Sequence, residues 1–151
     1  MSYSIIKKYG HDNGWSCTFR QHRATGSHCR FLHGYPLSIE LEFECRYLDD
    51  RGWCIDFGGL KPLKNWLEST FDHKMLVAED DPQLELFKSL AQGPAAIADV
   101  VIVPAVGCEK FAEMVYIQAD RILGEVGEKP RVWIKSVRVS EHGGNTAVYS
   151  V

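Results

Sequence analysis

The most regular hydrophobic pattern in the chain runs from Leu37 to Arg46. There Leu37, Ile39, Leu41, Phe43 and Cys45 alternate with Ser38, Glu40, Glu42, Glu44 and Arg46. Period-two alternation over this length predicts a β-strand with one buried and one wet face. The strand is expected to run from Tyr35 to Tyr47, and His33 and Tyr35 share the parity of its buried set, so both are expected to point inward. Upstream, Tyr3 to Tyr9 is β-prone and closes at the turn-rich Gly10-His11-Asp12-Asn13-Gly14, and Trp15, Cys17 and Phe19 alternate with polar neighbours as a second strand. Asp49-Asp50-Arg51-Gly52 predicts a turn, followed by a short extended piece from Trp53 to Phe57.

Helical spacing takes over after Gly58-Gly59. Leu60, Leu63, Leu67 and Phe71 mark one helix, with Pro62 acceptable in its first turn. Glu79 to Asp81 and Pro82 mark a loop, Gln83 to Leu90 predicts a short helix, and Val100 to Val103 a compact strand. Phe111, Ala112, Val115, Ala119 and Ile122 form the stripe of a second long helix, closed by Gly124 and Gly127. Glu109 falls in its first turn, where the helix dipole favours an anion. Arg131 to Ser140 and Thr146 to Val151 predict a closing hairpin across His142-Gly143-Gly144-Asn145. This order of elements places the chain in the α+β class with a mainly antiparallel sheet.

Composition narrows the setting. A chain of 151 residues with 45% apolar and 25% charged residues is expected to fold as one globular domain, 1–151. A formal net charge of −3 gives no footprint for nucleic acid, and no basic run suggests an anionic membrane. No stretch has the length of a transmembrane helix, and no signal-peptide core opens the chain. The five cysteines are scattered without a CxxC pair, which argues against a disulfide framework and makes a reducing cytoplasm the simplest setting.

Candidate chemistry gathers around Cys29. His22, His28 and His33 flank it, and three nitrogen ligands with an open fourth position describe a catalytic zinc site. A histidine near a strand end is more often a hydrogen-bonded structural residue, and the spacing alone matches no strict zinc motif. Cys29 is a candidate base or nucleophile, against the alternative of an inert buried thiol. Asp72-His73 closes a helix, where a carboxylate can orient an imidazole for proton relay, against the alternative of a solvated helix end. Glu141 ends a strand before the Gly-Gly turn. It, Glu109 and Asp56 read equally as turn, cap and strand-end carboxylates.

Taken together, Phe19-Arg20-Gln21-His22, Cys29 with His33-Gly34, Ile55-Asp56-Phe57 with Leu60-Lys61, Asp72-His73-Lys74, Glu109 and Val139-Ser140-Glu141 resemble the 6-pyruvoyl-tetrahydropterin synthase and 6-carboxy-tetrahydropterin synthase family. The resemblance covers Phe19 to Tyr149. It implies a tunnelling fold (T-fold): an antiparallel four-stranded sheet with two helices packed on one face, assembled into barrels, usually hexameric, with active sites between subunits. It implies Zn2+ held by three histidines, here His22, His28 and His33, with Cys29 as general base and Asp72-His73 as its relay. Glu141 would anchor the guanidine-like edge of a pterin, and Glu109 would line the pocket. The family's His-Gly-His is here His33-Gly34-Tyr35, so His28 is the candidate replacement ligand. Tyr35 as a weak ligand or substrate contact, or a site holding no metal, are the alternatives. The segment from Ala78 to Pro104 is longer than is usual. The implied activity is a zinc-dependent lyase converting 7,8-dihydroneopterin triphosphate to 6-carboxy-5,6,7,8-tetrahydropterin for queuosine-type deazapurine synthesis. Formation of the 6-pyruvoyl product, or a catalytically silent pterin-binding protein, are the alternatives.

Overall fold

The computed structural model describes residues 1–151. Its main layer is an antiparallel sheet in the order β1-β4-β7-β8, made of β1 (Tyr3–Tyr9), β4 (Ser38–Cys45), β7 (Val132–His142) and β8 (Asn145–Ser150). The alternation seen in the sequence decides which face packs. Ile39, Leu41, Phe43 and Cys45 are fully buried, while Glu40, Glu42 and Glu44 stand on the wet face. Glu40 and Glu42 pair there with Arg138, and Glu42 also with Lys135. In β7 the buried positions change parity from Val132 and Ile134 to Val137 and Val139. The register explains it: Phe43 faces Ile134 and Glu42 faces Ser136, so Lys135 is the extra residue of a β-bulge.

Two helices cover the buried face. Helix α1 (Lys61–Phe71) carries Pro62 in its first turn, where no intrahelical N–H is lost, and buries Leu63, Leu67, Thr70 and Phe71. Helix α3 (Cys108–Glu125) buries the predicted stripe together with Cys108 and Leu123, and packs on β7 and β8. No helix is long and apolar enough to cross a membrane.

A second sheet was not legible in the sequence. It runs β3-β2-β5-β6, from β3 (His33–Pro36), β2 (Ser16–Phe19), β5 (Lys74–Ala78) and β6 (Val100–Val103). The β2–β3 pair is antiparallel, but β5 runs parallel to both β2 and β6. The longer middle segment thus supplies β6 and the short helix α2 (Leu84–Leu90), and extends this sheet.

Two local expectations are corrected. The strand predicted from Tyr35 to Tyr47 is divided, because the chain leaves one sheet at Pro36 and joins the other at Ser38. Pro36 lacks an N–H and is accommodated on the edge strand β3, while Leu37 is buried and donates its N–H to the Trp15 carbonyl at 3.2 Å. The extended piece predicted from Trp53 to Phe57 pairs with no strand. The Trp53 and Cys54 carbonyls accept instead from the Arg131 guanidinium at 3.3 and 2.9 Å.

Candidate active site

Strand β3 lies beside β2 with His33 opposite Phe19 and Tyr35 opposite Cys17. Gly34 between them is required by proximity: a Cβ there would sit 2.6 Å from the Cys17 carbonyl oxygen. His33 and Tyr35 therefore share a face, half-buried, with ring centroids 5.4 Å apart and planes at 87°. Phe31 O lies 2.7 Å from His33 Nδ1, and since a carbonyl only accepts, Nδ1 carries the proton and Nε2 is left as an acceptor. Cys29 sits in a 3-10 turn, His28–Arg30, whose start is held by Cys29 N–H donating to Ser27 Oγ at 3.1 Å. Gln21 N–H donates to the Cys29 carbonyl at 2.8 Å, which ties this turn to the stretch leaving β2.

Glu109 and Glu141 come together in a cleft of ≈ 430 Å³, which Gln21, Cys108, Asn145 and Thr146 also line. Helix α3 brings Glu109 and Cys108, the β7–β8 hairpin brings Glu141, Asn145 and Thr146, and the stretch leaving β2 brings Gln21. Gly107, at φ 115°, lets the helix start against Gln21, since a Cβ would lie 2.6 Å from Gln21 Nε2. Burial, followed by the Glu141 and Glu109 charges, pushes the Cys108 thiol up to about 12. The Tyr35 phenol is likewise raised, first by burial and then by Glu141, Cys29 and Cys108. The Tyr35 ring also lies 6.2 Å, centroid to centroid, from that of His142, which follows Glu141. Two carboxylates opening on one cleft suit a planar ligand edge that presents several N–H donors.

Asp72 and His73 form their expected pair, with Asp72 Oδ1 2.7 Å from His73 Nδ1. His73 takes a left-handed backbone at φ 56°, held by its N–H donating to the Ser16 carbonyl at 2.8 Å. Such a conformation is uncommon away from glycine and recurs at functional positions. Within one chain, however, His73 lines a separate cleft of ≈ 280 Å³ beside Ser16, Thr18 and Asp99.

The three histidines named as metal ligands are not gathered. No three His, Cys, Asp or Glu side chains lie where they could hold one ion. His33, with Nε2 open, has the posture of a ligand. His22 instead lines a different cleft with Arg23 and Asp80, its Nδ1 3.8 Å from Asp81 Oδ2 and its Nε2 3.7 Å from Asp80 Oδ1. His28 is exposed on its 3-10 turn, and the remaining position beside His33 holds the phenol of Tyr35. As placed, these donors do not fit a three-histidine zinc site. Sequence reasoning also missed Gln21 and Cys108 as cleft residues. Gln21 directly precedes His22 and Cys108 directly precedes Glu109, and that adjacency was the available signal.

The antiparallel sheet with helices on one face defines a T-fold chain. The family described as 6-pyruvoyl tetrahydropterin synthase matches residues 12–151, and the chain belongs to that family. Over 66 residues it is 32% identical to the 6-carboxy-5,6,7,8-tetrahydropterin synthase of Rickettsia bellii. That stretch covers 42% of this chain and 48% of the relative, so the match spans about half the relative's length. An uncharacterized protein of Wolinella succinogenes superposes with a TM-score of 0.80 at 18% identity, covering 99% of this chain and 98% of that one. The 6-pyruvoyl tetrahydropterin synthase of Plasmodium vivax superposes at 0.68 and 16% identity, over 100% of this chain and 99% of that one.

Proposed function

We propose that the chain binds a reduced pterin in the Glu109–Glu141 cleft and acts on its side chain as a lyase, converting 7,8-dihydroneopterin triphosphate to 6-carboxy-5,6,7,8-tetrahydropterin for deazapurine (queuosine-type) synthesis. The observation that carries the reading is the cleft in which Glu109 of α3 and Glu141 of β7 meet beside Gln21, whose N–H holds the Cys29 carbonyl. A pterin's 2-amino and ring N–H groups match the paired acceptors of Glu141, and its side chain would then extend toward Tyr35 and Cys29. In this reading Cys29 removes a proton from the side chain, and an Asp72–His73 pair supplied by a neighbouring copy of the chain relays it. The name of the Rickettsia bellii relative, and the three residues between Cys29 and His33, favour the 6-carboxy over the 6-pyruvoyl product.

A second reading, a catalytically silent pterin binder, is favoured by Tyr35 standing where the family has a histidine and by His22 facing two carboxylates. Chromatography of products after incubation with the triphosphate separates the two. Product from the wild type, lost in Cys29→Ala while pterin affinity is retained, supports the lyase. Pterin binding without product moves the function to the silent binder, and absence of both removes the pterin reading. Glu141→Gln is expected to weaken pterin binding by about 1.5–3 kcal/mol, the range of a hydrogen bond to a charged group.

A further inference from the structure

We infer that this site handles its ligand without a three-histidine metal centre, with the Tyr35 phenol facing the ligand side chain from the place beside His33. The choice of a pterin as that ligand rests on the reading above, whereas the metal part does not.

Three observations carry the inference. The turn after β5 clamps the stretch that leaves β2. The Asp81 side chain is 1% exposed and accepts from Arg20 Nε and NH2 at 2.9 and 2.6 Å, and from the Gln83 N–H at 2.8 Å, so its oxygens are committed. Asp80 is held by Arg23 and faces His22 from the other side. His22 therefore sits against the Asp80–Asp81 turn, 3.7 and 3.8 Å from carboxylates that are engaged by arginines, and no group of three metal-ligating side chains forms around it. The second observation is that Tyr35 stands edge-on to His33, with its ring centroid also 6.2 Å from that of His142, the residue after Glu141. A phenol offers one O–H donor and acceptor lone pairs, suited to hydrogen-bonding a hydroxyl or developing oxyanion. The third is that no further His, Cys, Asp or Glu completes a ligand set around His33.

The test uses the purified full chain, incubated with zinc and then desalted. Metal analysis is expected to give less than ~0.1 zinc per chain, since fewer than three fixed protein ligands hold zinc weakly. About one zinc per chain, retained by the wild type and lost in His33→Ala, overturns the inference. Fluorescence titration with neopterin reads the ligand side. Binding is expected to be unchanged by EDTA and weakened about tenfold in Tyr35→Phe, as for loss of one well-placed hydrogen bond. A Tyr35→Phe protein with wild-type affinity, or wild-type binding abolished by EDTA, also overturns it. If the wild type binds no neopterin, the pterin reading fails on its own, and the zinc content alone decides the metal inference.

Discussion

Cys29 differs from the other four cysteines in being only half-buried. Burial is the first cause that pushes Cys17, Cys54 and Cys108 up to about 12, so at neutral pH these remain protonated thiols, and Cys45 is fully enclosed. Reactivity toward alkylating agents follows thiolate fraction and access. One thiol of the native protein is therefore expected to label fast with iodoacetamide, and mass spectrometry should locate it at Cys29. Fast labelling of Cys108 instead would mean that the acidic cleft opens in solution. The Arg20–Asp81 pair makes a second residue-scale prediction. Burial works to raise the Asp81 carboxyl, but the Arg20 hydrogen bond, the Gln83 N–H and the Arg20 charge outweigh it and hold the group below the usual carboxylate range. A depressed folded-state value contributes stability above about pH 4, the unfolded carboxylate range, and loses it as pH falls through the lower folded value. Asp81→Asn is expected to cost about 3 kcal/mol at pH 7, because Arg20 loses its partner in a partly buried setting. The cost should shrink below pH 4, and thermal melts across pH 2–7 would show the wild-type and variant curves converging. Parallel curves would exclude Asp81 as the titrating group.

At the scale of elements, Phe111 of α3 packs β2 of the second sheet and α1 together. Its ring is fully buried, edge-on to Phe19 of β2 at 5.0 Å and to Phe71 of α1 at 5.4 Å. Phe111→Ala is expected to destabilise the fold by about 3–5 kcal/mol, through lost transfer energy and the cavity left behind. Denaturant unfolding measures this, and a loss below about 1 kcal/mol would mean the three elements repack independently. Phe111 was legible in the sequence because α3 repeats its apolar stripe over many turns. The same holds for β1, for α1, and for the hairpin that turns at Gly143-Gly144. What was not legible follows from length and from contacts between distant residues. The β5 run, Met75 to Ala78, is too short to establish a period, and its parallel pairing with β2 is a tertiary choice. The break at Leu37 was hidden because both halves of the stretch alternate in phase. At the site, Cys29, Glu109 and Glu141 were recognisable from their motif neighbourhoods. The placement of His22 against the Asp80–Asp81 turn was not, since Arg20 and Asp81, which anchor that turn, are 61 residues apart and nothing local links them.

The whole molecule leaves one part of the proposed chemistry unassembled. Asp72 and His73 are built with care, down to a left-handed backbone at His73, yet within one chain they open on a different cleft from Glu109 and Glu141. The antiparallel sheet also ends in two open edges, β1 and β8, with Tyr3 and Val148 more than half exposed, and free edges of this kind favour pairing between copies. If the relay comes from a neighbouring copy, the oligomer and not the chain is the catalytic unit. Cys29→Ala and His73→Ala should then each be inactive alone, yet recover activity when unfolded together and refolded as a mixture. With random assembly, ~1/4 of the sites in a symmetric homo-oligomer pair an intact Cys29 with an intact His73 from the adjacent copy, so roughly a quarter of wild-type activity is expected. Every chain in the mixture lacks either Cys29 or His73, so a same-chain site would stay silent in every mixture. Sedimentation of the mixture on the same day shows whether mixed oligomers formed. Mixed oligomers without recovered activity would remove the Asp72–His73 pair from the shared site, and a protein that sediments as a monomer while turning over would remove the need for a partner altogether.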